Sequence, residues 1–170
     1  MAWRGNINTA DRLYGCLPYL LPMSSAVFYG VFLFIQAPVL AQIFTPILEL
    51  RRILSYPVIP QVLSLEFIVF ILLYIFVVRN DKVCHFIRFN TMQALLLGIA
   101  LILIELAVEL ISPVFSATTV ESILFLIQVF ASTIFVGMNS ICVFAIAQCL
   151  RGVYAEMPII SEAAYYQVRY

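Results

Sequence analysis

Four stretches of this 170-residue chain place apolar side chains at nearly every position, and each is bounded by prolines, charges or a polar turn. One runs from about 26 to 48 and is interrupted by Pro38 and Pro46; a second, from about 62 to 78, stops at Arg79-Asn80-Asp81-Lys82. A third runs from about 89 to 111 and ends at Ser112-Pro113; a fourth, from about 123 to 150, ends at Arg151. Apolar residues occupy every face of these segments, which is the pattern of helices wet by lipid or by each other. Crossing a hydrocarbon core of about 30 Å takes around 20 helical residues, so the pattern predicts an all-α membrane protein with four transmembrane helices. Each proline in the first run frees a carbonyl that a neighbour or water must satisfy, which predicts a kink there. The fourth run exceeds the bilayer's requirement and is expected to tilt or to extend into water. Residues 1–25 read as an interfacial segment, with Tyr14 and Tyr19 suited to the headgroup layer, and 151–170 as a C-terminal tail. Together these form a single membrane domain, 1–170.

Composition sharpens this reading. Hydrophobic residues make up 64% of the chain and charged residues 11%, against roughly half and a quarter in soluble domains. Nine Lys and Arg balance nine Asp and Glu, so no overall field points to nucleic acid or to an acidic partner. Where the basic residues sit is more informative. With four spans, Arg4, Arg12, Arg79, Lys82, Arg88, Arg151 and Arg169 fall on one side and only Arg51 and Arg52 on the other. Basic residues of short loops stay in the cytoplasm, which predicts that both termini are cytoplasmic.

Candidate chemistry is sparse. Cys16, Cys84, Cys142 and Cys149 form no C-x-x-C, and Cys84-His85 lacks the second pair a structural metal site needs, so neither a disulfide framework nor a metal centre is expected. A signal peptide over 13–26 is disfavoured by Pro18, Pro22 and Asp11, and membrane sequence begins too early for a transit peptide. That points to a bacterial or organelle-encoded gene, or to a mature chain. Glu66, Glu105 and Glu109 lie toward the far ends of their spans. Hydration at the interface accounts for them; Glu105 and Glu109, four apart on one face, alternatively form a small acidic vestibule. No nucleophile, second base or metal joins them, so no enzyme, catalytic residue or cofactor is assigned.

Two polar constellations stand out. In the fourth span Gln128, Ser132, Phe135, Asn139, Cys142, Ile146 and Cys149 recur at spacings of four and three, one face of a helix. Small and amide side chains on one stripe make a packing seam, or alternatively line a polar path. At the entrance of the third span, Phe86, Ile87, Arg88, Phe89, Asn90 and Gln93 set an arginine at the membrane surface, expected to touch phosphates, with two amides on one face just inside, bonding to neighbours. His85 is the only histidine.

These residues resemble the Tic-twenty family, whose members include the membrane subunit of the translocon at the chloroplast inner envelope. The resemblance is carried by Asp11-Arg12-Leu13, Leu17-Pro18-Tyr19-Leu20-Leu21-Pro22, Val78-Arg79-Asn80, the stretch from His85 to Ala94, and Pro158-Ile159-Ile160-Ser161-Glu162-Ala163-Ala164. The opening Met1-Ala2-Trp3-Arg4-Gly5 is similar to cyanobacterial or plastid-encoded members. The resemblance implies four membrane helices with both termini in the stroma or cytoplasm. It also implies a part in moving preproteins across the inner envelope, or an equivalent cyanobacterial plasma or thylakoid membrane, alongside other translocon subunits. A scaffold or assembly factor for membrane complexes is the alternative. Since four helices barely enclose an extended peptide, a route would require several copies, as a homo-oligomer, or other subunits.

Overall fold

The computed structural model of the chain describes residues 7–59, 63–116 and 121–168. Helices α1 (Thr9–Cys16), α2 (Leu20–Ala26), α3 (Val31–Gln36), α4 (Pro38–Ile43) and α5 (Thr45–Leu54) form the first half. A short antiparallel pair, β1 (Pro57–Ile59) and β2 (Leu63–Ser64), leads into α6 (Leu65–Leu73), α7 (His85–Ser116), α8 (Glu121–Leu150) and α9 (Ile160–Gln167). The architecture is all-helical apart from that pair, as the hydrophobic pattern predicts.

Among the described residues three helical runs are long and apolar enough to cross a membrane: Thr9–Gln36, His85–Ile111 and Leu124–Leu150. The last two fall on the runs expected at 89–111 and 123–150. The run expected at 62–78 is the shorter apolar helix Leu65–Val78, nine residues of α-helix followed by five, Tyr74–Val78, wound as π-helix. Val62 lies outside the described residues, as do Arg4 and Arg169 of the basic-residue count, the Met1 to Gly5 opening and residues 117–120.

The largest difference from the sequence pattern lies at the N-terminus. The expected span at 26–48 is not one kinked helix: the backbone leaves helical geometry at Ala37 (φ −131°, ψ 84°), and Pro38 then opens α4 while Pro46 sits in the first turn of α5. Proline disfavours helix in the residue before it and is well placed in a first turn, where its missing N–H has no partner to lose. Helix instead extends backwards to Thr9, through a 3₁₀ turn at Leu17–Tyr19 that takes in Pro18 and another at Val27–Gly30, while Pro22 falls in the first turn of α2. The Ser24 hydroxyl donates back to the Leu21 carbonyl at 2.7 Å, so this polar side chain is satisfied within its own helix. Residues 9–25, assigned to an interface from the sequence, thus belong to the bundle. Tyr19 is completely buried, whereas Tyr14 is exposed.

This N-terminal run lies antiparallel along α8. Cys149 faces Gly15, Cys16 faces Ile146, and Gly30 meets Phe135, where a Cβ at residue 30 would stand 2.8 Å from the ring. Phe34 and Phe44 close on the same ring at 5.3 and 5.1 Å. The core gathers at one end, around Tyr19, Phe86, Phe89, Leu95, Cys142 and Cys149. Away from it the outer half of α7 exposes Ile102, Leu103, Leu106 and Leu110, and that of α8 exposes Leu124, Phe125, Leu126 and Phe130. Such surface belongs against lipid or other helices.

Candidate functional site

The entrance to α7 follows from a turn built by Asn80, whose side chain accepts from the Lys82 N–H at 3.1 Å and whose carbonyl accepts from Val83 at 3.0 Å. The π-helical end of the preceding segment leaves the Val78 carbonyl open. Arg88, 8% exposed, donates its Nε to that carbonyl at 2.9 Å and pairs with Asp81 at 3.2 Å. Arg88 therefore clamps the turn to α7; the expected contact with lipid phosphate is replaced by an internal one, because the carbonyl it satisfies is otherwise orphaned.

One turn further in, Asn90 and Gln93 are both fully buried. Gln93 uses every polar atom: Oε1 accepts the Tyr19 hydroxyl at 2.8 Å, and Nε2 donates to the Ala155 carbonyl and to the Ser161 hydroxyl oxygen, each at 2.8 Å. Ser161 in turn accepts from the Met157 N–H at 2.5 Å. Asn90 donates to the Phe86 carbonyl at 2.8 Å, and its Oδ1 accepts the Cys149 thiol at 3.0 Å, with the Tyr19 oxygen 3.1 Å away. Four segments far apart in sequence, α1–α2, the start of α7, the end of α8 and the approach to α9, are thereby tied into one polar knot.

An aromatic layer covers it. Tyr154 packs at 5.2 Å from Phe86 and 5.1 Å from Phe89, Tyr165 lies 4.4 Å from Phe89, and the Tyr154 hydroxyl stands 3.1 Å from His85 Nδ1. Phe86 presses on Gly15, where a Cβ would lie 3.0 Å from its ring; Ile87, on the opposite side, is half-buried. The chain leaves α8 through Gly152 at φ 73°, with the Val153 N–H bonded to the Gln148 carbonyl, a helix stop that requires glycine. A Cβ at Gly152 would also strike the Arg12 guanidinium at 2.9 Å.

The polar stripe of α8 divides in two. Asn139 and Cys142 are buried with Phe135 and Cys149 against the N-terminal helices, Asn139 donating to the Phe135 carbonyl at 2.8 Å. Gln128 and Ser132 are half-buried and, with Gln36 and Thr133, line an open groove of about 570 Å³ between α3 and α8. The two constellations read from the sequence meet at one bond, Cys149 to Asn90. Among the three carboxylates, Glu66 pairs with Arg51 and accepts the Ser25 hydroxyl, while Glu105 and Glu109 are exposed on α7. Among the described residues no three His, Cys, Asp or Glu converge on a possible metal position.

Sequence reasoning missed Tyr19 and Ser161 as members of the knot. The signal available was that polar residues sat inside otherwise apolar resembling blocks, at 17–22 and 158–164.

Comparison with known proteins identifies the family. A family profile described as chloroplast import apparatus Tic20-like matches residues 9–164. The Tic20 family protein of Synechocystis sp. is 41% identical over 171 aligned residues, covering both chains completely. Protein TIC 20-v, chloroplastic, of Arabidopsis thaliana is 29% identical across 96% of this chain and 73% of its own length. Protein TIC 20-I, chloroplastic, from the same plant is 30% identical across 94% and 54%. The matched region begins with α1 and runs into α9, taking in every segment of the knot, and the chain is an integral membrane protein of the Tic20 family.

Proposed function

We propose that this chain is a four-span subunit of a preprotein import translocon, supplying one wall of a polypeptide-conducting path, with both termini on the stromal or cytoplasmic side. Leu65–Val78 is the fourth crossing in this reading, short enough to need local thinning of the bilayer. Supporting the common side of the termini, α1 and α9 both pack on the first turns of α7, beside the basic turn at 79–88. Other translocon subunits, or further copies of the chain, close the path and cover the bare outer halves of α7 and α8. The reading assigns no chemical reaction to the chain.

The observation that carries the path is the groove between α3 and α8. Gln36, Gln128 and Ser132 contribute amides and a hydroxyl to a recess otherwise walled by Phe32, Leu33, Phe125 and Val136 that the chain itself leaves open, while Thr133 lines it with its hydroxyl donated to the Val129 carbonyl. A polypeptide crossing hydrocarbon must exchange its bonds to water for others, and such side chains supply them. A second reading, a scaffold for membrane complexes, is favoured by Asn139 and Cys142, whose burial makes the inner half of the stripe a packing seam.

Photoreactive residues at Gln128, Ser132 and Leu126 in the assembled complex distinguish the two. The path reading expects crosslinks from Gln128 and Ser132 to a precursor arrested in transit, with the lipid-facing Leu126 silent. Absence of precursor crosslinks, combined with loss of assembly in Ser132→Leu, would instead establish the scaffold.

A further inference from the structure

Between α2, α5, α6 and α7, on helices other than those forming the groove, lies a half-enclosed cavity of about 610 Å³. Its deep part is apolar, with Pro22, Ala94, Leu95 and Leu101 as walls. At Gly98 a Cβ would find nothing within 4 Å, so the floor is open space rather than a glycine fitted to a neighbour. Its mouth is flanked by Phe28, Phe67 and Ile102, which are 67%, 49% and 55% exposed and face the direction from which acyl chains arrive.

The other end of the cavity is polar. Arg51 binds Glu66, whose second oxygen accepts the Ser25 hydroxyl; Arg51 Nη1 and Ser25 Oγ are 3.5 Å apart, and Ser55 and Ser64 line the same wall. Glu105 faces the cavity from α7, and among the described residues no cation pairs with it. One guanidinium already committed to a carboxylate, plus a second carboxylate, leaves this end with one net negative charge and a surplus of acceptors. Glu66 stands at the start of α6 and Val78, held by Arg88, at the far end of the same apolar segment, so in the four-span reading the polar end lies in the headgroup layer opposite the basic turn.

We infer that this cavity is a lipid site, holding one acyl chain against Gly98 and, at Arg51, Glu66 and Glu105, a neutral headgroup that donates hydroxyl hydrogen bonds. The size suits an aliphatic ligand, since sites for small molecules span about 300–1,000 Å³ and are mainly apolar with a few convergent polar groups. An anionic headgroup is disfavoured by the two carboxylates, because the Arg51 guanidinium is already paired with Glu66. A hydroxyl-rich head meets no such opposition and supplies the donors that Glu105 lacks.

Native mass spectrometry of the full chain from nanodiscs tests this. The nanodiscs contain equal parts of a glycosyl diacylglycerol, phosphatidylglycerol and phosphatidylethanolamine. One retained glycosyl lipid per chain is expected, with phosphatidylglycerol retained about tenfold less, a difference of about 1.4 kcal/mol. Gly98→Phe, whose Cβ meets nothing within 4 Å, places a ring in the floor and abolishes retention; Glu105→Arg, on an exposed face, inverts the preference toward phosphatidylglycerol. Equal retention by Gly98→Phe, a wild-type preference for phosphatidylglycerol or for phosphatidylethanolamine, whose ammonium also suits a negative end, or an unaltered preference in Glu105→Arg would each overturn the assignment. So would loss of a co-purifying membrane protein, rather than of lipid, in Gly98→Phe. None of these readouts depends on polypeptide transport, so the lipid site and the proposed path stand or fall separately.

Discussion

Gln93 is the residue on which the knot converges, because it alone reaches the N-terminal helix, the segment after α8 and the start of α9. Replacing it by leucine leaves the Tyr19 hydroxyl, the Ala155 carbonyl and the Ser161 hydroxyl without that partner in an interior that water does not enter. An unsatisfied buried group costs about 1–3 kcal/mol, although polar pairs in membranes average only about 0.6 kcal/mol. With three groups affected, Gln93→Leu is expected to lose about 2 kcal/mol or more, and Tyr19→Phe, which orphans only Gln93 Oε1, about 1 kcal/mol. Melting curves in mild detergent check the order. If the two variants melt together at the wild-type temperature, the knot is not what holds this end closed. From sequence, the shared face of Asn90 and Gln93 was legible, since a spacing of three on a helix entrance fixes it. Their partners were not: Tyr19 is 74 residues away from Gln93, and no local pattern encodes a contact at that distance.

Two glycines separate local preference from packing at the scale of the helix. Alanine is favoured over glycine in a helix interior by about 1 kcal/mol, so Gly137→Ala, which meets nothing within 4 Å, is expected to be neutral or stabilising. At Gly30 the same methyl would overlap the Phe135 ring at 2.8 Å and Phe34 at 2.9 Å. Overpacking costs about 1–3 kcal/mol and outweighs propensity, so Gly30→Ala should lower the melting temperature while Gly137→Ala does not. A stabilised Gly30→Ala protein would mean that α3 does not cross α8 at Phe135. The prolines teach a related lesson. Pro38 and Pro46 lie in the apolar run and Pro18 and Pro22 precede it, and sequence spacing treats all four as interruptions. Only Pro38 follows a residue with non-helical torsions, at Ala37, whereas Pro18 sits in 3₁₀ winding and Pro22 in the first turn of α2, where a missing N–H costs least.

At the scale of the whole molecule the proposed topology places Asn8, Asp81 and Tyr166 on one side of the bilayer and Arg52 on the other. Asp81, Tyr166 and Arg52 are strongly exposed, so a cysteine at any of them is open to reagent, and Asp81→Cys leaves Arg88 its bond to the Val78 carbonyl. In a background lacking the four native cysteines, an impermeant thiol reagent added outside intact cells or organelles should label only Arg52→Cys. Labelling of Asp81→Cys or Tyr166→Cys from outside would reverse the proposed orientation.

The sequence alone determined that this is an all-helical integral membrane protein of the Tic20 family. The reason is physical: nearly continuous apolar segments cannot be solvated by water, and the resembling blocks are contiguous stretches readable in order. It also located the apolar segments of α7 and α8, which no proline interrupts, although α7 does not stop at Ser112-Pro113 as expected but continues through them to Ser116. Tertiary structure decided the rest. Only packing against α7 and α8 shows that residues 9–25 are part of the bundle, since burial depends on neighbours more than a hundred residues away. Only folding shows that Arg88 is clamped inside, that the α8 stripe is half seam and half groove, and that Arg51, Glu66 and Glu105 share a cavity. Each of those depends on which helix lies opposite, and a period along one chain carries no information about its neighbour.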